Sequence, residues 1–105
     1  MKHVIQHGLS LELAKKATRK ALETYQERFA EYNPQVDWKG EDKATVAFGV
    51  KGVNLNGDID INDKDIALDM SVPFLLKPFQ KKAVAVVDKA IREWIDRAKN
   101  GELDN

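Results

Sequence analysis

Between Lys43 and Val72 the chain alternates apolar and polar residues three times over, with only short polar breaks, and this period of two leaves few folds open. Ala44, Val46, Phe48 and Val50 alternate with Lys43, Thr45, Ala47, Gly49 and Lys51. After Gly52, one parity carries Val53, Leu55, Ile59 and Ile61, with Gly57 in one inward slot. The other carries Asn54, Asn56, Asp58, Asp60 and Asn62. Beyond the Asp63-Lys64 turn, Ile66, Leu68, Met70 and Val72 alternate with Asp65, Ala67, Asp69 and Ser71. Successive side chains of a strand point to opposite faces. Three such runs with short connections therefore read as an antiparallel meander, apolar on one face and acidic on the other. Val36 and Trp38, alternating with Asp37 and Lys39 and followed by a turn at Gly40, add a shorter strand before it. Lys2 to Gln6 adds one at the N-terminus.

Two stretches carry a different period. From Leu11 to Tyr32, Ala14, Ala17, Ala21, Leu22, Tyr25, Phe29 and Tyr32 recur every three or four residues, which predicts a helix of about six turns. Ser10 reads as its N-cap, with Leu9 placed to staple against Ala14, and Asn33-Pro34 as its end. Alanines in its first half allow close approach to a sheet, whereas aromatics in its second half fill a wider gap. The second stripe comprises Phe79, Ala83, Val86, Val87, Ala90, Ile91, Trp94 and Ile95. It follows Pro78, which suits a first helical turn, and stops at Asn100-Gly101. The predicted order is β-α-β-β-β-β-α: an α+β fold with an antiparallel sheet of four or five strands and both helices on one face. By analogy it is a small helix-grip shape. Residues 1–100 are expected to form a single domain, and 101–105 a frayed tail.

At 105 residues with 43% hydrophobic and 32% charged side chains, the chain has the composition of a folded globular domain. Cysteine is absent, which excludes a disulfide framework, a thiolate metal site and a cysteine nucleophile. The first residues lack the apolar core of a signal peptide and no stretch is long enough to span a bilayer. A cytoplasmic protein without transmembrane insertion is therefore expected. Lys plus Arg and Asp plus Glu number 17 each, and a balanced chain has no global field to hold nucleic acid. The charges are nonetheless segregated. Residues 33–72 hold four basic and eight acidic side chains, and residues 73–100 hold seven basic and three acidic.

Several features invite a chemical reading. His3 and His7 lie on one side of the first strand, but a zinc site needs a third ligand, and neither Glu12 nor Asp37 is fixed by local spacing. The alternative is that His7 ends the strand and bonds backbone near the helix start. Asn54 to Asp65 is rich in oxygen ligands, yet in the EF-hand frame the obligatory glycine falls on Asp63 and the final glutamate on Asp69, so a solvated acidic sheet face is expected instead. Lys15, Lys16, Arg19 and Lys20 crowd the helix half that its dipole makes least favourable for cations. They either meet an anionic partner or form a solvated face helped by an Arg19–Glu23 pair. Phe74, Leu75, Leu76 and Phe79, flanked by Pro73 and Pro78 and joined by Lys77, either plug the open end of the core or form an interaction surface, a homodimer contact included. No phosphate loop, nucleophile elbow or metalloprotease motif occurs, so no catalytic residue, cofactor or metal is expected.

The whole pattern resembles the polyhydroxyalkanoic acid system family, small bacterial proteins encoded beside genes for polyester storage granules. The resemblance is carried by His7-x-Leu9 before an alanine-rich helix, by Tyr32 and Trp38-x-Gly40, by Gly52 and Gly57-x-Ile59, and by the Phe74-Leu75-Leu76-x-Pro78-Phe79 corner. It implies a cytoplasmic accessory role at or near the granule surface or a granule protein, and it brings no catalytic residues. The residues themselves leave a second expectation open: a module binding a small apolar or acyl ligand between the sheet and the last helix, lined by Trp38, Phe48, Met70 and Trp94.

Overall fold

The computed structural model describes residues 2–50, 53–71, 77–78 and 80–103. The elements are β1 (Lys2–Gln6), α1 (Leu11–Arg28), a 3-10 turn (Ala30–Tyr32), β2 (Gln35–Trp38), β3 (Lys43–Val50), β4 (Val53–Ile61), β5 (Asp65–Ser71) and α2 (Gln80–Lys99). The strands form one antiparallel sheet of five in the order β1-β5-β4-β3-β2. The α+β architecture and the element order are those that the periodicities predict.

Register converts the alternation into a layered core. One inward row runs His3, Leu68, Ile59, Ala44 and Trp38 across all five strands. The next runs Met70, Gly57, Val46 and Val36. Gly57 has the sequence's one gap in the inward pattern, and the Met70 side chain occupies the space it leaves. A Cβ there would meet Met70 Cε at 3.1 Å and Val46 Cγ2 at 3.3 Å. Ile59, Ile66, Leu68, Met70 and Val46 are accordingly buried, while Asp58 and Asp69, paired directly across β4 and β5, stay exposed on the outer face.

Both helices cover the inner face and pack on one another, α1 over the β4 and β2 side and α2 over β5 and β1. Ser10 caps α1, its hydroxyl accepting from the Leu13 N–H at 3.2 Å. The helix is shorter than the stripe suggests. Phe29 leaves helical geometry at φ −116°, and the last apolar positions continue as a 3-10 turn closed by Asn33 in the left-handed region at φ 51°. A tighter turn rotates Tyr32 relative to an α-helical continuation. At the other end of the domain α2 stops in a Schellman arrangement. Gly101 sits at φ 81°, its N–H donates to Ala98 O and the Glu102 N–H to Arg97 O.

At each sheet edge the inward row ends on a ring that meets a charged group from the overlying helix. His3 Nε2 lies 2.7 Å from Asp88 Oδ1, and the Arg92 guanidinium holds the same carboxylate at 3.0 Å. On the opposite edge the Arg19 guanidinium stacks over Trp38 at 4.3 Å. Arg19 thus takes a ring from β2 instead of the expected Glu23, whose carboxylate pairs with Lys20 at 3.6 Å. A flat guanidinium gains more from an aromatic face it can cover than from an exposed ion pair one turn along.

Candidate functional site

The second half of α1 builds the feature most capable of function. Tyr25 and Phe29 stand one turn apart, and Tyr32 follows on the 3-10 turn. Their rings form a run with centroids 5.6 Å and 6.3 Å apart. Tyr25 also meets Phe48 of β3 edge-on at 6.1 Å. Phe48 pairs across the ladder with Leu55 of β4, one step beyond the point where β2 begins at Gln35 opposite Ala47. Ala83, Val86 and Lys82 approach from the first half of α2. These side chains enclose an open cleft of about 270 Å³, just below the ~300–1,000 Å³ typical of small-molecule sites.

Its walls are apolar apart from the hydroxyls of Tyr25 and Tyr32 and the ammonium of Lys82. Tyr25 is 3% exposed, and its hydroxyl is the buried side-chain oxygen or nitrogen that lacks a hydrogen-bond partner among the described residues. Leaving such a donor unpaired costs roughly 1–3 kcal/mol. Burial also pushes the phenol well above its ordinary pKa of 10.0, so the ring remains a neutral O–H donor. Lys82 is exposed at the mouth and makes no ion pair among the described residues.

Of the four side chains expected to line a pocket together, Phe48 borders this cleft. Met70 is fully buried over Gly57. Trp38 lies at the sheet edge under Arg19. Trp94 lies on the helix seam, its indole N–H donating to Thr24 Oγ1 at 3.0 Å with Arg97 stacked on its ring at 4.5 Å. Sequence parity assigns Trp38, Phe48 and Met70 to one sheet face, and the helical stripe turns Trp94 toward it, without saying how far apart they sit. Tyr25, Phe29, Leu55, Lys82 and Val86 escaped the expectation, although the aromatic spacing after the alanines was the visible signal. Phe74, Leu75, Leu76 and Phe79 lie outside the described residues, and Lys77 is exposed.

His7 serves the fold. It is fully buried, its Nδ1 accepts from the Leu9 N–H at 2.9 Å, and its Nε2 donates to the Asn62 carbonyl at 2.8 Å. Both ring nitrogens are thereby engaged by backbone, so the ring is no metal ligand, and the tautomer follows from the fact that an amide can only donate. Among the described residues no group of three or more His, Asp or Glu stands close enough to hold a metal ion. Asp58 accepts from Thr45 Oγ1 at 3.3 Å, and Asp60 faces Lys43 at 4.0 Å on the open sheet surface. In the basic cluster of α1, Lys15 meets Glu41 at 3.4 Å, so cations of this cluster find partners within the domain. No helix among the described residues is long and apolar enough to cross a membrane.

Comparison with curated proteins found no match, nor did comparison with solved structures. A family model described as "Putative polyhydroxyalkanoic acid system protein" matches residues 3–95, from the inward-facing His3 of β1 to Ile95 near the end of α2. With nearly the whole fold inside that match, the chain belongs to the polyhydroxyalkanoic acid system protein family.

Proposed function

We propose that this protein is a non-enzymatic, cytoplasmic accessory factor of polyhydroxyalkanoate metabolism that associates with the storage-granule surface or with a granule protein. Family membership supports the setting. The observation that carries the reading is the open apolar cleft between α1, the β3–β4 hairpin and α2, with Tyr32 43% exposed at its rim. A domain that leaves large apolar side chains together at its surface has a face to bury against something else. The sequence places Phe74, Leu75, Leu76 and Phe79 just before α2, which supplies part of this cleft.

Purified protein is expected to co-sediment with isolated granules, and Tyr32→Asp combined with Val86→Asp to abolish this while circular dichroism stays native. Wild-type protein that remains in the supernatant defeats granule association. A folded double variant that still sediments defeats the role of the cleft.

A second reading is favoured by the apolar lining of the same cleft: a module that holds a small apolar or acyl ligand there.

A further inference from the structure

We infer that β1 is a docking edge for a second copy of this chain: two β1 strands pair antiparallel about a two-fold axis at Val4, joining two five-stranded sheets into one.

The ladder shows which backbone groups are free to do this. The His7 N–H donates to Lys64 O, in step with the β1–β5 register. Hydrogen-bonded and non-bonded pairs alternate along an antiparallel ladder. His3 and Ile5 therefore bond β5 as well, and the N–H and C=O groups of Lys2, Val4 and Gln6 point to the open edge. Such an edge is a template for another strand. The opposite edge is less open: β2 has four residues, begins straight after Pro34, and carries Arg19 stacked on Trp38.

Self-pairing suits the side chains too. With Val4 opposite Val4 of the second copy, Lys2 stands opposite Gln6, and every edge-facing residue of both strands is engaged. A slip of two residues leaves Lys2 or Gln6 out, so the register is specified. On the outer face Val4 is 45% exposed, and it and Tyr32 are the large apolar side chains left exposed among the described residues. Its neighbour on β5 is Ala67, 8% exposed, so the axis gathers Ala67, Val4 and their copies into one apolar row. The acids of this face, Asp58, Asp60, Asp65 and Asp69, stand on β4 and β5, and β1 contributes none. No like charges therefore meet across the seam, and Lys2 faces Gln6 with Asp65 of the second copy next along that row. A patch that complements itself is what a two-fold dimer requires.

The other candidates carry less. The cleft beside Leu11, Asp42, Asp63 and Asp65 is an acidic cluster with nothing further to mark a ligand. The apolar cleft belongs to the site already described.

Sedimentation velocity of the intact chain from about 10 μM to about 1 mM is expected to show a weak monomer–dimer equilibrium, as befits a short seam. Amide exchange followed by NMR is expected to slow at Val4 and Gln6 as concentration rises, while Ile5 stays protected throughout. Val4→Lys, at an exposed site, is expected to leave circular dichroism and the thermal melt unchanged. It should weaken the dimer about fivefold or more by setting like charges opposite one another. The chain has no cysteine, so Val4→Cys places one thiol per copy on the axis. Under mild oxidation it is expected to crosslink at least about tenfold faster than Gln6→Cys, whose two thiols lie at opposite ends of the seam. Wild-type protein that stays monomeric over this range overturns the inference. So does a dimer that Val4→Lys leaves intact, or one in which Gln6→Cys crosslinks as fast as Val4→Cys. If Val4→Lys does not fold, the two cysteine variants decide.

Discussion

The two halves of α1 meet the same sheet on different terms. In the first, Ala14, Ala17, Ala21 and Thr18 are fully buried, and the Thr18 hydroxyl donates back to Ala14 O at 2.8 Å. In the second, Tyr25 is buried, while just past the helix end Phe29 is half-buried and Tyr32, on the 3-10 turn, is exposed, and a cleft opens among them. Small side chains let two elements approach until no void remains. Here the large ones hold the elements apart and leave a cleft between them. The closed half of the helix holds the fold together, and the open half is where the molecule has room to bind.

That contrast can be broken by substitution. The largest effect is expected at the closed end from His7→Ala, which strips partners from the Leu9 N–H and the Asn62 carbonyl. A loss of about 2–4 kcal/mol in urea unfolding follows from two orphaned backbone groups. A loss below 1 kcal/mol would show that water replaces the ring. Next, Ala21→Leu is expected to cost about 1–3 kcal/mol by overpacking, whereas Val86→Leu, pointing its extra bulk at the cleft, should cost less than about 1 kcal/mol. Equal penalties at the two sites would mean that the halves do not differ in packing.

A further, small effect has the opposite sign. Tyr25→Phe removes a buried, unpaired hydroxyl and is expected to stabilise the ligand-free domain by about 1 kcal/mol in thermal unfolding. The same substitution sharpens the comparison through pH. The folded state holds the phenol proton more tightly than the unfolded chain. Wild type therefore keeps this contribution below pH 10, the unfolded pKa, and loses it as the pH climbs above that value. Tyr25→Phe should lack this additional alkaline loss; identical alkaline profiles would show that the hydroxyl is not buried in solution.

Much of this architecture is legible in the sequence because it rests on local periods. The parity of Ala44 to Met70 specifies the inner face, Ser10 and Gly101 mark helix ends, and His7 stands where a strand must turn into a helix. What escapes is distance between elements. Arg19 and Glu23 are neighbours on any helical projection, but nothing local reveals that β2 brings Trp38 closer. Trp38, Met70 and Trp94 share apolar character with Phe48 and yet sit at a sheet edge, in the core and on a helix seam. The cleft needs Tyr25, Leu55 and Val86 from three elements to converge. Only the aromatic run in α1 announces it.

The placement of β1 beside β5 has a kinetic consequence. Strands β2 to β5 are joined by short connections and can pair while the chain explores only local closures. The Lys2–Asp69 register, by contrast, spans most of the protein. Ordering that pairing early would carry a far larger loop-closure entropy than any pairing among β2 to β5, so the N-terminal strand and His7 are expected to dock after the rate-limiting step. Substitution of the buried Ile5 by Val should then quicken unfolding and leave the folding rate nearly untouched, as stopped-flow chevrons can measure, whereas a slowed folding limb would place this strand in the nucleus. The segment that completes the sheet would in that case also be the first to let go.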